Sequence, residues 1–159
     1  MKTHLTSTAL ILFALSGFLF PLSARAKGIQ PPLTIAAQKG ETETAKTLLE
    51  QGAKIDETNV DGYTPLMLAC FFGHLETAKL LVEKGAAVNY HEKSAPNYTP
   101  LICAAMNGHE SIVELLLSKG ADATMQDSVQ STALDRARNN GHKKIVALLQ
   151  AALKKGKEP

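Results

Sequence analysis

The feature that most constrains the fold of this chain is a pattern that recurs at a nearly constant spacing. Four leucines are separated by 33, 35 and 33 residues: Leu33, Leu66, Leu101 and Leu134. The glycines that follow them keep the same three spacings: Gly40, Gly73, Gly108 and Gly141. A period of this length predicts a stack of repeated units, in which each unit buries its apolar face only against its neighbours.

Each unit is predicted to contain two short helices. In the second unit, Thr64 and Pro65 are typical of a helix start, since threonine caps free backbone amides and proline fits the first turn. Gly73 ends this helix, because glycine readily adopts the left-handed conformation that a sharp reversal needs. Residues 76–82 then form a second helix with one apolar stripe and one charged face.

These motifs resemble the ankyrin repeat. The residues that carry the resemblance lie at corresponding positions in the second to fourth units: Thr64, Pro65, Leu66, Gly73, His74, Thr99, Pro100, Leu101, Gly108, His109, Gly141 and His142. The resemblance implies an all-α repeat solenoid over 27–159, built from helix–turn–helix units with hairpin-like loops. About four repeats are expected, at 31–60, 61–93, 96–128 and 129–155. It also implies binding to other proteins through a concave face and through the projecting loops, here called fingers.

The N-terminal segment 1–26 is predicted to be a signal peptide. Its apolar core lies within residues 9–20, which is too short for a membrane-spanning helix of about 20 residues. Pro21 ends this core, and residues 23–26 offer the small-x-small pattern that signal peptidase cleaves. We therefore expect export to the bacterial periplasm, with secretion as the alternative. An uncleaved N-terminal anchor is the other interpretation of the same segment.

Charge is unevenly distributed along the chain. Residues 27–130 hold 8 basic and 13 acidic side chains, whereas residues 131–159 hold 7 basic and 2 acidic ones. A nucleic-acid-binding protein would show a dominant basic field, so this dipolar arrangement argues against that class. The lysines near the C-terminus are interpreted as a solubilising end of the last helix, with docking to an acidic partner or a membrane surface as the alternative.

The residues that could carry chemistry are better explained as structural. His74, His109 and His142 recur after glycine, and stacking would separate neighbours by about 10 Å, too far to share one ion. Cys70 and Cys103 replace small or apolar core residues, which predicts two buried thiols, with a disulfide as the alternative. No nucleophile–base pair, phosphate-binding loop or carboxylate cluster stands out in the sequence. We therefore expect no enzyme activity, no metal and no cofactor.

The resemblance places the two residues before each glycine on the concave face. The candidate partner-binding residues there are Gln38, Phe71, Phe72, Met106, Asn107 and Asn139. Phe71 and Phe72 are the only phenylalanines after the predicted signal peptide, and beside Met106 they are typical of an interface hot spot. The alternative is that one of the two rings packs into the core between repeats.

The fingers are the second candidate surface. Their candidate residues are Asn59, Asp61, Tyr90, His91, Lys93, Tyr98 and Ser128. The finger between the second and third repeats carries two extra residues, and loops on a repeat scaffold often determine specificity. A tolerated surface insertion is the alternative explanation of its length.

The sequence therefore predicts a monomeric or weakly associating, exported, non-catalytic protein that binds another protein. No nucleic acid is expected as a partner, and no membrane contact after signal cleavage. The rival interpretations are a secreted factor that binds a host protein, an accessory to a periplasmic enzyme, and an enzyme or metal-binding protein.

Overall fold

The computed structural model describes residues 30–91 and 97–155, in which eight helices follow one another as four pairs. The first helices of the pairs are α1 (Pro32–Lys39), α3 (Pro65–Phe72), α5 (Pro100–Met106) and α7 (Ala133–Asn139). The second helices are α2 (Thr42–Glu50), α4 (Leu75–Glu83), α6 (Glu110–Ser118) and α8 (Lys143–Lys155). The described residues contain no strand, only an isolated antiparallel bridge between Gln126 and Thr132. The predicted all-α repeat solenoid is confirmed, and the predicted signal peptide 1–26 lies outside the described residues.

Threonine determines where three of the first helices begin. The Oγ1 atoms of Thr64, Thr99 and Thr132 each accept a hydrogen bond of 3.2 Å from the amide three residues further on. Because the first amides of a helix have no partner within it, such a cap stabilises the helix by about 1 kcal/mol. The helix α1 instead follows Pro31, which makes no side-chain cap. Gly73 ends α3 in the left-handed conformation, with φ at 82°, as its position in the motif predicts.

The helices stack in two rows, each in chain order. First helices pack on first helices, from α1 to α7, and second helices pack on second helices, from α2 to α8. Small, fully buried side chains lie in the first-helix row: Ala37, Ala69, Cys70, Cys103, Ala104, Ala105 and Ala137. Such side chains allow the helices to approach closely at the packing density of a protein interior.

Each histidine that follows a glycine joins its repeat to the preceding one. Three contacts of 2.9 to 3.1 Å link ring Nε2 atoms to backbone oxygens: His74 with Gln38, His109 with Phe71, and His142 with Met106. A Cβ atom at Gly73 would lie 2.5 Å from the His109 ring, so only glycine leaves room for the ring. The three histidines therefore act at three separate inter-repeat contacts.

The apolar core is continuous along the stack. Its buried side chains form one cluster that extends from Leu33 to Leu149. Residues 27–159 contain all of this cluster, so we expect this segment to fold as a unit without residues 1–26. Among the described residues, no helix is long and apolar enough to cross a membrane.

Candidate protein-binding surface

The predicted concave face has two adjacent aromatic rings at the end of α3. Phe72 is 46% exposed, whereas Phe71 is half-buried and packs against the core. The two rings meet edge to face with centroids 5.1 Å apart, and the Phe72 ring stacks on the His74 ring at 6.4 Å. Phe71 is therefore the ring that packs toward the core, and Phe72 is the ring that is accessible to a partner. Contact between Phe72 and a partner stays a prediction.

Except for Met106, the residues at the corresponding positions of the other repeats are polar. Gln38 and Asn139 are exposed at the ends of α1 and α7, while Met106 is half-buried at the end of α5. Asn107 Nδ2 donates a hydrogen bond of 2.9 Å to Cys103 O, which fixes the amide group and leaves its oxygen as an acceptor. An apolar centre with hydrogen-bonding groups around it is the usual composition of a protein interface.

The finger residue Asn59 faces inward, contrary to the expectation that it contacts a partner. It is 8% exposed, and its Oδ1 accepts hydrogen bonds from the amides of Asp61 at 3.0 Å and Tyr63 at 2.9 Å. These bonds close the tight turn at the finger tip, where Gly62 adopts a φ of 82°. Asn59 therefore shapes the finger, and a partner would meet the exposed Asp61 instead.

Asp127 takes the place of Asn59 in the finger before α7, a role that the sequence analysis missed. Its Oδ1 accepts hydrogen bonds of 3.0 Å from the amides of Val129 and Ser131. Its Oδ2 accepts one of 2.8 Å from Arg136 Nε and pairs with the guanidinium, which also lies 5.7 Å from the Tyr98 ring centroid. Burial raises the pKa of Asp127, but the Ser131 amide, the Arg136 guanidinium and the Val129 amide together lower it below its usual value.

The remaining finger candidates differ in accessibility. Asp61, His91 and Ser128 are exposed, Tyr90 and Tyr98 are half-buried, and Lys93 lies outside the described residues. The Tyr98 ring lies 6.3 Å from the Tyr63 ring of the neighbouring finger, so it joins two fingers as well as contacting Arg136. Partner binding by any of these residues stays a prediction.

A second set of finger contacts was also missed, although its spacing is visible in the sequence. Asp56, Asn89 and Asp122 are 33 residues apart. The Asp56 carboxylate accepts a hydrogen bond of 3.1 Å from the Ala87 amide, and Asn89 Oδ1 accepts one of 2.8 Å from the Asp122 amide. Hydrogen bonds from the Thr124 side chain and amide lower the pKa of Asp122. The bases of the fingers are thus linked from one repeat to the next.

The two cysteines are free thiols with no solvent contact. Burial raises the pKa of Cys103 to about 12 and raises that of Cys70 well above its usual value. Because the thiolate is the reactive form, both groups are poor nucleophiles at neutral pH. Within 30–91 and 97–155, no three His, Cys, Asp or Glu side chains are grouped so that they could hold a metal ion.

Stacked helix pairs, inter-repeat histidine contacts and linked fingers define the class of this protein as a helical repeat solenoid. The family described as "Ankyrin repeats (3 copies)" matches residues 10–92 and 88–158. The chain belongs to the ankyrin-repeat family, whose repeats generally mediate binding to other proteins. The first match begins inside the segment 1–26, which stays a predicted signal peptide. No similar protein is found among the curated protein sequences.

Proposed function

We propose that this protein is a monomeric, non-catalytic binding module that acts in the bacterial periplasm as a scaffold or accessory to another protein. The proposed contact is the concave face with Phe72 at its centre, and the fingers provide the surrounding polar groups. The protonated thiols and the three backbone-bonded histidines support a non-catalytic role, because they are poorly placed to act as nucleophiles or bases.

The observation that carries this proposal is the exposure of Phe72. Among the described residues, four large apolar side chains are exposed: Ile35, Val60, Phe72 and Val129. Phe72 is the only aromatic one, and it rests on Phe71, so its position is set before a partner arrives. A preorganised aromatic side chain loses little conformational entropy on binding, which favours its role as a hot spot.

The test is a crosslinking pull-down from periplasmic extract with residues 27–159 as bait, beside the variant Phe72→Ser. Val129→Ser is the matched control, because it removes an apolar side chain that is 66% exposed from a finger tip. We expect one protein to be captured by the wild type and the control but lost from Phe72→Ser. Loss from Val129→Ser alone would move the site to the fingers, and equal capture by all three would contradict the role of Phe72.

The alternative function is that of a secreted factor that binds a host protein through the same surface. Fractionation of the producing cell separates the two proposals, since the periplasmic proposal requires the processed chain in the periplasm and the alternative requires it in the culture medium. Light scattering of the purified segment 27–159 tests the proposed monomer.

A further inference from the structure

The last helix differs from the other second helices in length and charge. The helix α8 spans 13 residues, whereas α2, α4 and α6 span 9 residues each. It contains four lysines and no acidic residue. Residues 136–155 together hold six lysines and arginines without one aspartate or glutamate. The four lysines of α8 lie on a helix that packs into the core, so their backbone positions are fixed relative to one another.

The four lysines of α8 share one side of the helix. Lys143 and Lys154 are 11 residues apart, as are Lys144 and Lys155. Eleven residues are close to three helical turns, so the members of each pair point within about 20° of each other and lie about 16 Å apart along the axis. The exposed residues of α8, here called the lysine face, are Lys143, Lys144, Ala147, Gln150, Ala151, Lys154 and Lys155. Ile145 and Leu149 are buried on the opposite side.

Within the part of the chain that the structure describes, most of this charge has no acidic counterpart. Lys144 Nζ lies 3.4 Å from a carboxylate oxygen of Glu110, but both side chains are well exposed, and such a pair contributes little. Lys143, Lys154 and Lys155 have no acidic group within 4 Å among the described residues. As far as the described residues go, the lysine face therefore presents a positive field to the solvent that few carboxylates offset.

We infer that the lysine face docks on the anionic headgroups of a lipid bilayer. A protein partner would need an anchor, since binding energy at protein interfaces concentrates in a few large side chains. The exposed large apolar side chains of the described chain all lie outside α8, and the lysine face offers only two alanines and Gln150 between its charges. Lipid headgroups diffuse laterally and can arrange themselves under any pattern of charges, so an anionic bilayer needs no such anchor.

The contact is a peripheral, electrostatic one. The apolar side of α8 packs into the core, so it is not free to enter the acyl chains. Each lysine near an anionic surface strengthens adsorption about fivefold. The attraction acts over about 8 Å at physiological salt, so more salt weakens it. This inference revises the expectation of no membrane contact and does not depend on the partner proposed for the concave face.

The test measures cosedimentation of residues 27–159 with vesicles of phosphatidylcholine containing 30% phosphatidylglycerol, compared with pure phosphatidylcholine. The test variant is Lys154→Gln/Lys155→Gln. The matched control is Lys84→Gln/Lys119→Gln, which removes the same charge from exposed positions just after α4 and α6. Circular dichroism checks that both variants keep the helical fold.

We expect binding to the anionic vesicles only, weakened about 25-fold in Lys154→Gln/Lys155→Gln and abolished by 0.5 M salt. The control should bind within about threefold of the wild type, because its lysines follow α4 and α6 and are not part of the lysine face. Equal loss in both variants would show that net charge acts without a docking face. Equal binding to both vesicle types, or no binding to either, would also overturn the inference, and the latter would favour an acidic protein as the occupant.

Discussion

At the scale of single residues, the two described finger turns use different side chains for the same task. Asn59 closes its turn with a neutral amide, and the residue nine positions later is Leu68. Asp127 closes the corresponding turn with a carboxylate, and the residue nine positions later is Arg136, which donates a hydrogen bond to that carboxylate. We therefore expect that replacing one member of the Asp127 and Arg136 pair lowers the stability of the protein, whereas replacing both does so much less.

We expect Asp127→Asn to lower the free energy of unfolding by about 2 kcal/mol, because it leaves the Arg136 guanidinium without its carboxylate. Adding Arg136→Leu should restore most of this loss, since the double variant copies the Asn59 and Leu68 pair. Urea unfolding of the single and double variants measures both changes. Additive losses in the double variant would contradict the proposed coupling.

The lowered pKa of Asp127 also predicts an acid dependence of stability. The ionised group contributes stability above its unfolded pKa of about 3.9, and this contribution is lost as the pH falls through the lower folded value. The Asp127→Asn variant should therefore lose less stability than the wild type between about pH 4 and pH 2. Urea unfolding at a series of pH values tests this, and parallel curves for the two proteins would contradict it.

Backbone conformation gives a further prediction at the same two turns. Gln130 has a φ of 60°, where the corresponding residue of the other finger is Gly62 with a φ of 82°. A side chain is strained in this region, so Gln130→Gly should stabilise the protein by about 0.5–1 kcal/mol after the greater freedom of glycine in the unfolded chain is included. The reciprocal Gly62→Gln should destabilise it. Thermal unfolding of both variants provides the measurement, and equal signs would contradict this account.

At the scale of helices, the side chain of Thr99 caps the start of α5, one of the two central first helices. Its Oγ1 accepts a hydrogen bond from the Ile102 amide at the beginning of α5, and the residue is buried. We expect Thr99→Ala to cost about 1–2 kcal/mol of stability, because the amide loses its partner. Thr99→Ser keeps the hydroxyl and should recover most of this loss. If serine proves no better than alanine in urea unfolding, the methyl group rather than the cap is responsible.

The helices could be predicted from the sequence because their boundaries depend on local chemistry. Thr64, Pro65 and Gly73 have the same effect on the backbone wherever the repeat occurs. The exposure of Phe71 and Phe72 could not be predicted in the same way. Neighbouring residues in a helix point about 100° apart, and α3 is apolar on all sides, so its sequence gives no phase to decide which ring faces the core.

The inward position of Asn59 was equally hidden from the sequence. A polar residue in a loop can face solvent or accept hydrogen bonds from its own turn, and only the backbone path decides between these. The sequence did offer one signal. Asn59 and Asp127 each lie six residues before a first helix, and a residue that closes a turn is expected at the same position in every repeat. Residues that bind a partner have no such reason to repeat.

At the scale of the whole molecule, the reactivity of the two buried thiols can be used to measure unfolding of the stack. Cys70 lies in α3 and Cys103 in α5, the two central first helices, and each of these packs between two others. Burial raises the pKa of both thiols, so neither should react with a thiol reagent at pH 8 unless the surrounding helices separate. We expect almost no reaction of the native protein with Ellman's reagent, and two thiols per chain in guanidinium chloride. A disulfide would instead give none in guanidinium chloride.

The rate of the slow native reaction distinguishes two ways in which a repeat protein can unfold. In a stack whose repeats contact only their neighbours, the ends can open separately from the centre. Asp127→Asn weakens the last finger, so end fraying would leave the reaction rate of Cys70 close to that of the wild type. Cooperative unfolding would raise this rate about 30-fold for a loss of about 2 kcal/mol, because the open population grows with the lost stability.

We expect cooperative unfolding, since one continuous core joins all four helix pairs in the described chain. The measurement uses a Cys103→Ser background, which leaves Cys70 as the single reporter, and an unchanged rate would contradict the prediction.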